Sequence, residues 1–497
     1  MTEDETMDME QKYVTYEQFG AMGDGVTDDM EAIVRCHDYA NAHGIPVKGT
    51  DGAHYYIGGK AISAEIRTDV DWGEARFTID DRAVENRETS CFIVRGDGER
   101  FTPMITSLRK GQKRVDLPHE GSVYVRVYDD TRLMYVRKGL NKNGGTPACD
   151  AFVVDADGNV TGEINWDYDR ITSAFAVSVD DRPITITGGV FTTVANEAPS
   201  FYTYYARNIR ICRSHVTVKG LTHLVTNEGD HGAPYNAFLS LFEAYDCELR
   251  DCLMTPHFIY HTASKIPGKT VPMGTYGISA HASIACRFIG IRQTVDITDT
   301  RYWGLMGSNF SKEILLENCV ISRFDAHMGV TNGVVRGCTL GHQGINLIGF
   351  GEFLVENTTL RCGHFLNFRS DYGAFFHGKL TIRGCTWIPT RGKEERLYLF
   401  RGRNEQDHDF GYACALPETI EIEDLLIRDG ETEGNFDYAV LYRYDGEYQE
   451  GKPYPLETPR RVTAEITTES GRAVMLTDDE RLYPHLCDYI LKAGASK

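Results

Sequence analysis

The chain has 497 residues and a mass of 55.8 kDa, room for roughly two to four domains or one long repetitive fold. Hydrophobic residues at 41% and charged ones at 25% exclude wholesale disorder, and no apolar run of about 18 residues exists to cross a membrane as a helix. Acidic residues outnumber basic ones 72 to 52, a net charge of −20. Such a surface repels nucleic acid and anionic lipid, so neither is expected as a partner.

Residues 1–11 are acidic, without the basic and apolar regions of a signal peptide, and are read as a disordered N-terminus. Thirteen cysteines is an odd number, with no C-x-x-C and no zinc-finger spacing, so no metal site is assigned. Together these features predict a cytoplasmic chain, or a secreted one if a leader has been lost. Forty-nine Gly, 27 Tyr and 23 Phe lean toward many short strands joined by turns.

Residues 12–90 form the first unit. The stretch Phe19-Gly-Ala-Met-Gly-Asp-Gly-Val-Thr-Asp-Asp29 leads into apolar residues at Ala32, Ile33, Cys36, Tyr39 and Ala40, the spacing of one amphipathic helix. Asp28 and Glu31 have capping-box spacing, and Gly44 is the expected stop. Strands are predicted near Ile45–Val47 and His54–Ile57. Asp24, Asp28 and Asp29 lack the ligand spacing of an EF-hand loop and are read as turn and cap formers.

That string, Phe19-Gly20-Ala21-x-Gly23-Asp24-Gly25-x-Thr27-Asp28-Asp29-x-x-Ala32-Ile33, resembles the N-terminal signature of right-handed parallel β-helix proteins of the pectate lyase superfamily. That group includes polygalacturonase-like glycoside hydrolases, polysaccharide lyases and phage tailspikes. The resemblance covers about 40 residues, implies the fold and a helix covering the first coil, and says little about chemistry.

Residues 91–180 alternate like antiparallel strands at Ser122–Tyr128, Leu133–Arg137, Phe152–Asp155 and Ala174–Val179, with turns at Asn143-Gly144-Gly145 and Asp157-Gly158. They are read as an inserted β-subdomain. Across 181–430 short alternating strands recur, ending Leu249-Arg-Asp-Cys252, Ala285-Cys286, Leu315-Leu-Glu-Asn-Cys319, Val334-Val-Arg-Gly-Cys338 and Leu380-Thr-Ile-Arg-Gly-Cys385. A recurring unit of about 20 residues or more is the mark of a solenoid, so an all-β fold, a right-handed parallel β-helix with an N-terminal capping helix, is expected. The cysteines would stack in one interior slot. Residues 431–497 are read as a C-terminal cap, with a helix over Asp478–Ala493.

Aligning the segment after each repeat gives a second ladder, with Asp296, His327, Asn346 and Asn367 on one outward face. Nearby lie Asp299, Arg301, Trp303, His342, Arg369 and Asp371. Carboxylates, imidazoles, arginines and aromatic rings on one wall suit a sugar; the plainer account is that such residues close turns between coils. Asp296 and Asp325, one coil apart and offset by two residues, would stand roughly 8 Å apart, within the range of about 6.5–9.5 Å used by inverting glycosidases. On this reading Asp296 and Asp325 are the catalytic pair, His327 tunes one of them, and Asp371 is the substitute carboxylate. Asp299, Arg301, Trp303, His342, Asn346, Asn367 and Arg369 would bind substrate.

The superfamily's catalytic motifs do not carry over. Asn-Thr-Asp is absent, and Gly341-His342-Gln343-Gly344 is only a stretched likeness of Gly-His-Gly. The first expectation is therefore a glycoside hydrolase acting on a glycan or oligosaccharide, without a cofactor. The second is a lyase on uronate-containing glycan, with Arg369 or His327 as base and calcium entering only there, on Asp296, Asp299 or Asp371. The third is a non-catalytic, tailspike-like glycan-binding solenoid. A homo-oligomer is compatible with each.

Overall fold

A computed structural model of the chain describes residues 12–200, 204–229, 232–264, 266–390, 396–402, 408–434, 436–442 and 459–495; the terminus 1–11 read as disordered lies outside them. Among the described residues thirty strands pair almost wholly in parallel as one continuous system, a right-handed parallel β-helix. Each full coil contributes a strand to three sheets in turn. Ile209–Cys212, Val216–Lys219 and Thr222–Thr226 make one coil, and the next begins at Leu239–Phe242.

Alternation explains the stacking. In the first sheet Phe92, Ile209, Leu239, Ile278, Met306, Phe324, Ile345 and Leu366 pair in register and are all buried. Their neighbours Arg210, Ser240, Ser279, Gly307, Asp325, Asn346 and Asn367 form the outward column of the same ladder, because successive side chains point to opposite faces.

The corner between the second and third sheets explains the repeating polar–small–apolar ending. Gly220, Asp251, Gly290, Asn318, Gly337, Asn357, Gly384 and Asp424 all sit in the left-handed region, with φ between 49° and 67°, where Gly, Asn and Asp are tolerated best. Glycine alternates with the longer residue for a reason of space. A Cβ on Gly337 would lie 2.6 Å from Asn318 Oδ1, and one on Gly384 2.7 Å from Asn357 Oδ1. The next residue turns inward, giving a slot of Cys252, Ile291, Cys319, Cys338, Thr358, Cys385 and Leu425. Cys286 does not belong to it. That residue precedes Arg287, which pairs with Glu248, so it stacks beside Cys247 at the start of the second sheet.

Helix α1 (Met30–His43) covers the first coil and ends at Gly44, whose φ of 65° and bond to Ala40 O close it. The capping box does not form. Asp29 is the N-cap and its carboxylate accepts from Met22 and Gly23 N–H, while Glu31 pairs with Lys60. The insertion is a four-stranded antiparallel sheet with Val123–Met134, Thr146–Val154 and Ser173–Ser178 as its long strands. It does not start at 91: Phe92–Arg95 pairs in parallel with Ala64–Ile66 and Ile209–Cys212, so that strand belongs to the solenoid. Lys312 anchors the insertion through a buried ion pair with Asp150.

The C-terminal region also differs from expectation. Asp437–Leu441, Arg461–Thr468 and Val474–Thr477 continue the coils rather than cap them. The expected helix over 478–493 is a short 3-10 turn, Tyr483–His485, followed by the strand Asp488–Ala495 paired with Arg461–Thr468. Leu482 and Leu486 imitate helical spacing, but alternation along the strand and the waiting edge of the preceding coil win.

Candidate functional site

A groove of about 520 Å3 runs along the outward face of the first sheet. Its floor is the ladder of Arg210, Ser240 and Ser279 with the parallel line of Phe242, His281 and Asn309 beside it; His327 and Met328 extend it. One wall comes from coil-to-coil loops carrying Tyr235, Gly274, Tyr276 and Trp303, the other from Arg137, Asn141, Asn143 and Thr146 of the insertion. Beside the groove, Ser264 Oγ donates to Leu140 O of the insertion at 2.7 Å, joining the loop side to the insertion.

Glycine makes the wall possible. A Cβ on Gly307 would lie 2.7 Å from the Tyr276 ring, and one on Gly274 would overlap Trp303. With those positions bare, the rings reach over the sheet, and Trp303 lies 4.6 Å from the Arg323 guanidinium, a cation–π contact.

At one end of the groove five charges alternate in sign: Arg323, Asp325, Arg369, Asp371 and Arg137. Arg323 Nη2 donates to Asp325 Oδ2 at 2.5 Å, and Arg369 Nη1 reaches both Asp325 oxygens at 2.7 and 2.8 Å. Arg369 then donates to Asp371 through Nε and Nη2 at 3.1 and 2.8 Å, and Arg137 Nε donates to Asp371 Oδ2 at 2.7 Å. The Tyr276 hydroxyl donates a short bond to Asp325 Oδ2. Burial works to raise the pKa of Asp325, which has no exposed surface, but Arg323 and Arg369 outweigh it and hold the carboxyl far below the usual range. Burial is likewise overcome at Asp371 by Arg369 and Arg137, leaving it at about 2. Both are fixed anions, and neither serves as a general acid.

His327 is the titratable group beside this network without a fixed charge. Its Nδ1 lies 3.1 Å from Asn309 Oδ1, an atom that only accepts, so Nδ1 carries the hydrogen and Nε2 the lone pair. Nε2 is 3.5 Å from the Tyr372 hydroxyl. Burial first, and the Arg369 charge second, push the imidazole down to about 3, so it is neutral at ordinary pH. Burial raises the pKa of Tyr372 and keeps its hydroxyl protonated.

The remaining expected site residues scatter. Asp296 is not a neighbour of Asp325 in the ladder; the floor partners of Asp325 are Gly307 and Asn346. It lies in the loop 294–305, exposed, with its carboxylate closing a turn onto Thr298 N and Oγ1, both at 2.8 Å. Asp299 is held to about 2 by hydrogen bonds from Arg301, in the same loop. His342 Nδ1 lies 3.2 Å from Ile297 O, which joins it to that loop and not to the groove. Asn346 accepts from Asn367 Nδ2 at 2.7 Å, a rung-to-rung ladder. His327 stands two residues beyond the column it was aligned with, at a register shift between Ser308 and Asn309. The inverting pair of carboxylates is therefore not assembled. Of the expected residues, only His327, Trp303, Arg369 and, through Arg369, the buried Asp325 and the half-buried Asp371 meet here.

Arg323, Tyr276 and Arg137 were missed by sequence reasoning. Arg323 carried a signal, since it lies two residues before Asp325 and alternation puts both on one face. Arg137 carried none, because it arrives from an insertion.

No protein-family model matches the sequence, and no curated protein matches it significantly. Among solved structures, the chain is similar to the tailspike gp49 of Pseudomonas phage LKA1 (16% identity, TM-score 0.54, covering 93% of this chain and 84% of that one). It is also similar to the tailspike gp61 of Pseudomonas phage phi297 (11% identity, TM-score 0.52, covering 92% and 80%). At these identities the likeness is one of fold.

Proposed function

We propose that the groove binds an acidic glycan and cleaves it by β-elimination at a uronate unit. The observation that carries this reading is the pairing of a neutral His327, whose Nε2 accepts a long hydrogen bond of 3.5 Å from the protonated Tyr372 hydroxyl, beside Arg137 and Arg369, the arginines of the cluster that line the groove. Glycoside hydrolysis requires one carboxyl to be protonated, and both carboxyls of this cluster are locked as anions by arginine.

In the proposed step, His327 Nε2 takes the proton from C5 of the uronate. The C–H electron pair forms the C4=C5 double bond, the C4–O4 bond breaks, and the Tyr372 hydroxyl gives its proton to the departing oxygen. The imidazolium then returns a proton to the phenolate, restoring both groups. The arginine cluster, with three cations to two carboxylates, neutralises the uronate carboxylate and stabilises the charge that develops as C5 loses its proton. A bound carboxylate also offsets the Arg369 charge, the second of the two main effects, after burial, that depress His327.

Incubation with uronate-containing polysaccharides should release products with the ultraviolet absorbance of an unsaturated uronate. His327→Ala should lower that rate by about 10²–10⁴-fold, the usual contribution of a general base. Release of saturated sugars by a His327→Ala variant as fast as by the wild type would overturn the elimination. Binding without any product would leave a glycan-binding solenoid.

A further inference from the structure

A second cavity, of about 570 Å3, opens on the same floor toward the N-terminus and shares Arg210 and Phe242 with the first. Its floor is Ile93 and Arg95 of the preceding strand in the ladder with Cys212 of Arg210's own strand, and Tyr124, Val177 and Ser178 of the insertion form its outer wall. The two cavities are thus chambers of one trough, and Arg210 stands on the sill between them.

Arg210 differs from the other arginines around it. Arg67 pairs with Glu65 and Asp97, Arg100 with Glu243, and Arg213 with Asp180. Among the described residues no carboxylate lies within ion-pair distance of Arg210, and its buried Nε has no hydrogen-bond partner. Its guanidinium is carried on the Phe242 ring at 4.1 Å, and that ring is stacked on His281 at 4.9 Å with 6° between planes. The side chain is therefore positioned by packing and not by a counter-charge. A half-buried guanidinium without a counter-charge, on the sill of a polar trough, is a recognition element for a planar anion.

The spacing gives the ligand its form. Arg210, Ser240, Ser279, Gly307 and Asp325 are successive members of one column, so Arg210 lies about 19 Å from the charged cluster along the axis, at about 4.8 Å per coil. Ser240 and Ser279 between them are small and lie on the groove floor, a bed for a chain running along the trough as far as the Tyr276 ring, which covers Gly307. We propose that Arg210 grips the carboxylate of a second acidic sugar in the same chain, several units from the one at His327, and that the chamber beyond it is a distal subsite that makes long acidic oligosaccharides the preferred ligands. This rests on the acidic-glycan reading of the groove, but not on the elimination step.

The test is calorimetric binding of the dimer and octamer of galacturonate, mannuronate, guluronate and hyaluronan series to the wild-type chain, Arg210→Gln and Arg210→Lys. The wild type should bind one series with the octamer favoured. Arg210→Gln should lose about tenfold to hundredfold on that octamer, as for one charge-assisted hydrogen bond, and less than about twofold on the dimer. Arg210→Lys should recover part of the loss, which separates lost charge from a damaged fold. Equal losses on dimer and octamer, no loss at all, or a wild type that binds none of the four series would overturn the proposal. Because the readout is affinity, a failure of the elimination chemistry registers separately, as binding without product.

Discussion

The floor of the groove and the loop 294–305 carry the same residue types to opposite ends. On the floor, Asp325 is fully buried between Arg323 and Arg369 and takes a fourth hydrogen bond from Tyr276. In the loop, Asp296 closes a turn on its own neighbour and Asp299 pairs with Arg301, whose side chain is 70% exposed. Burial makes the difference: an ion pair desolvated in the interior couples strongly to everything around it, while an exposed one is screened by water and contributes little.

The contrast is sharpest under substitution. Asp325→Ala leaves two buried arginines facing each other and should cost about 3–5 kcal/mol, read as a fall in the denaturant midpoint. Acid should act next, through histidines that the fold keeps neutral. Burial holds His37, His281 and His327 at about 3, against an ordinary value of 6.5. The unfolded chain takes up their protons first, so stability is complete above about pH 6.5 and falls steadily toward pH 3. A melting temperature that stays flat over that window would contradict the neutral state of these rings. Tyr276→Phe removes one donor to a buried carboxylate and should cost about 1.5–3 kcal/mol. Asp296→Asn should change stability by no more than about 0.5 kcal/mol, as at ordinary surface positions. If Asp296→Asn proved as damaging as Asp325→Ala, the loop would have to pack far more tightly than its exposure allows.

The fold was legible because its causes are local and repeated. Alternation fixes which residues turn inward, and the left-handed corner demands Gly, Asn or Asp every coil, so the pattern appears in the sequence wherever the coil does. The site was legible only in pieces. His327 was displaced by two residues because two extra residues enter the ladder between Leu340 and Gly344, opposite Ile321 and Arg323, and carry no mark in the sequence. Asp296 was misplaced because a strand pattern was extended into a loop, where nothing enforces register. Arg137 reaches Asp371 across 234 residues, and such a contact depends on how the insertion docks, which no short window of sequence records.

A stack of coils has a direction in which it comes apart. Among the described residues the strand Asp488–Ala495 pairs only with Arg461–Thr468, and none of its eight residues is buried. An exposed strand held by one ladder opens more readily than a buried one held by two, so backbone amides of 488–495 should exchange with solvent long before those of 324–328.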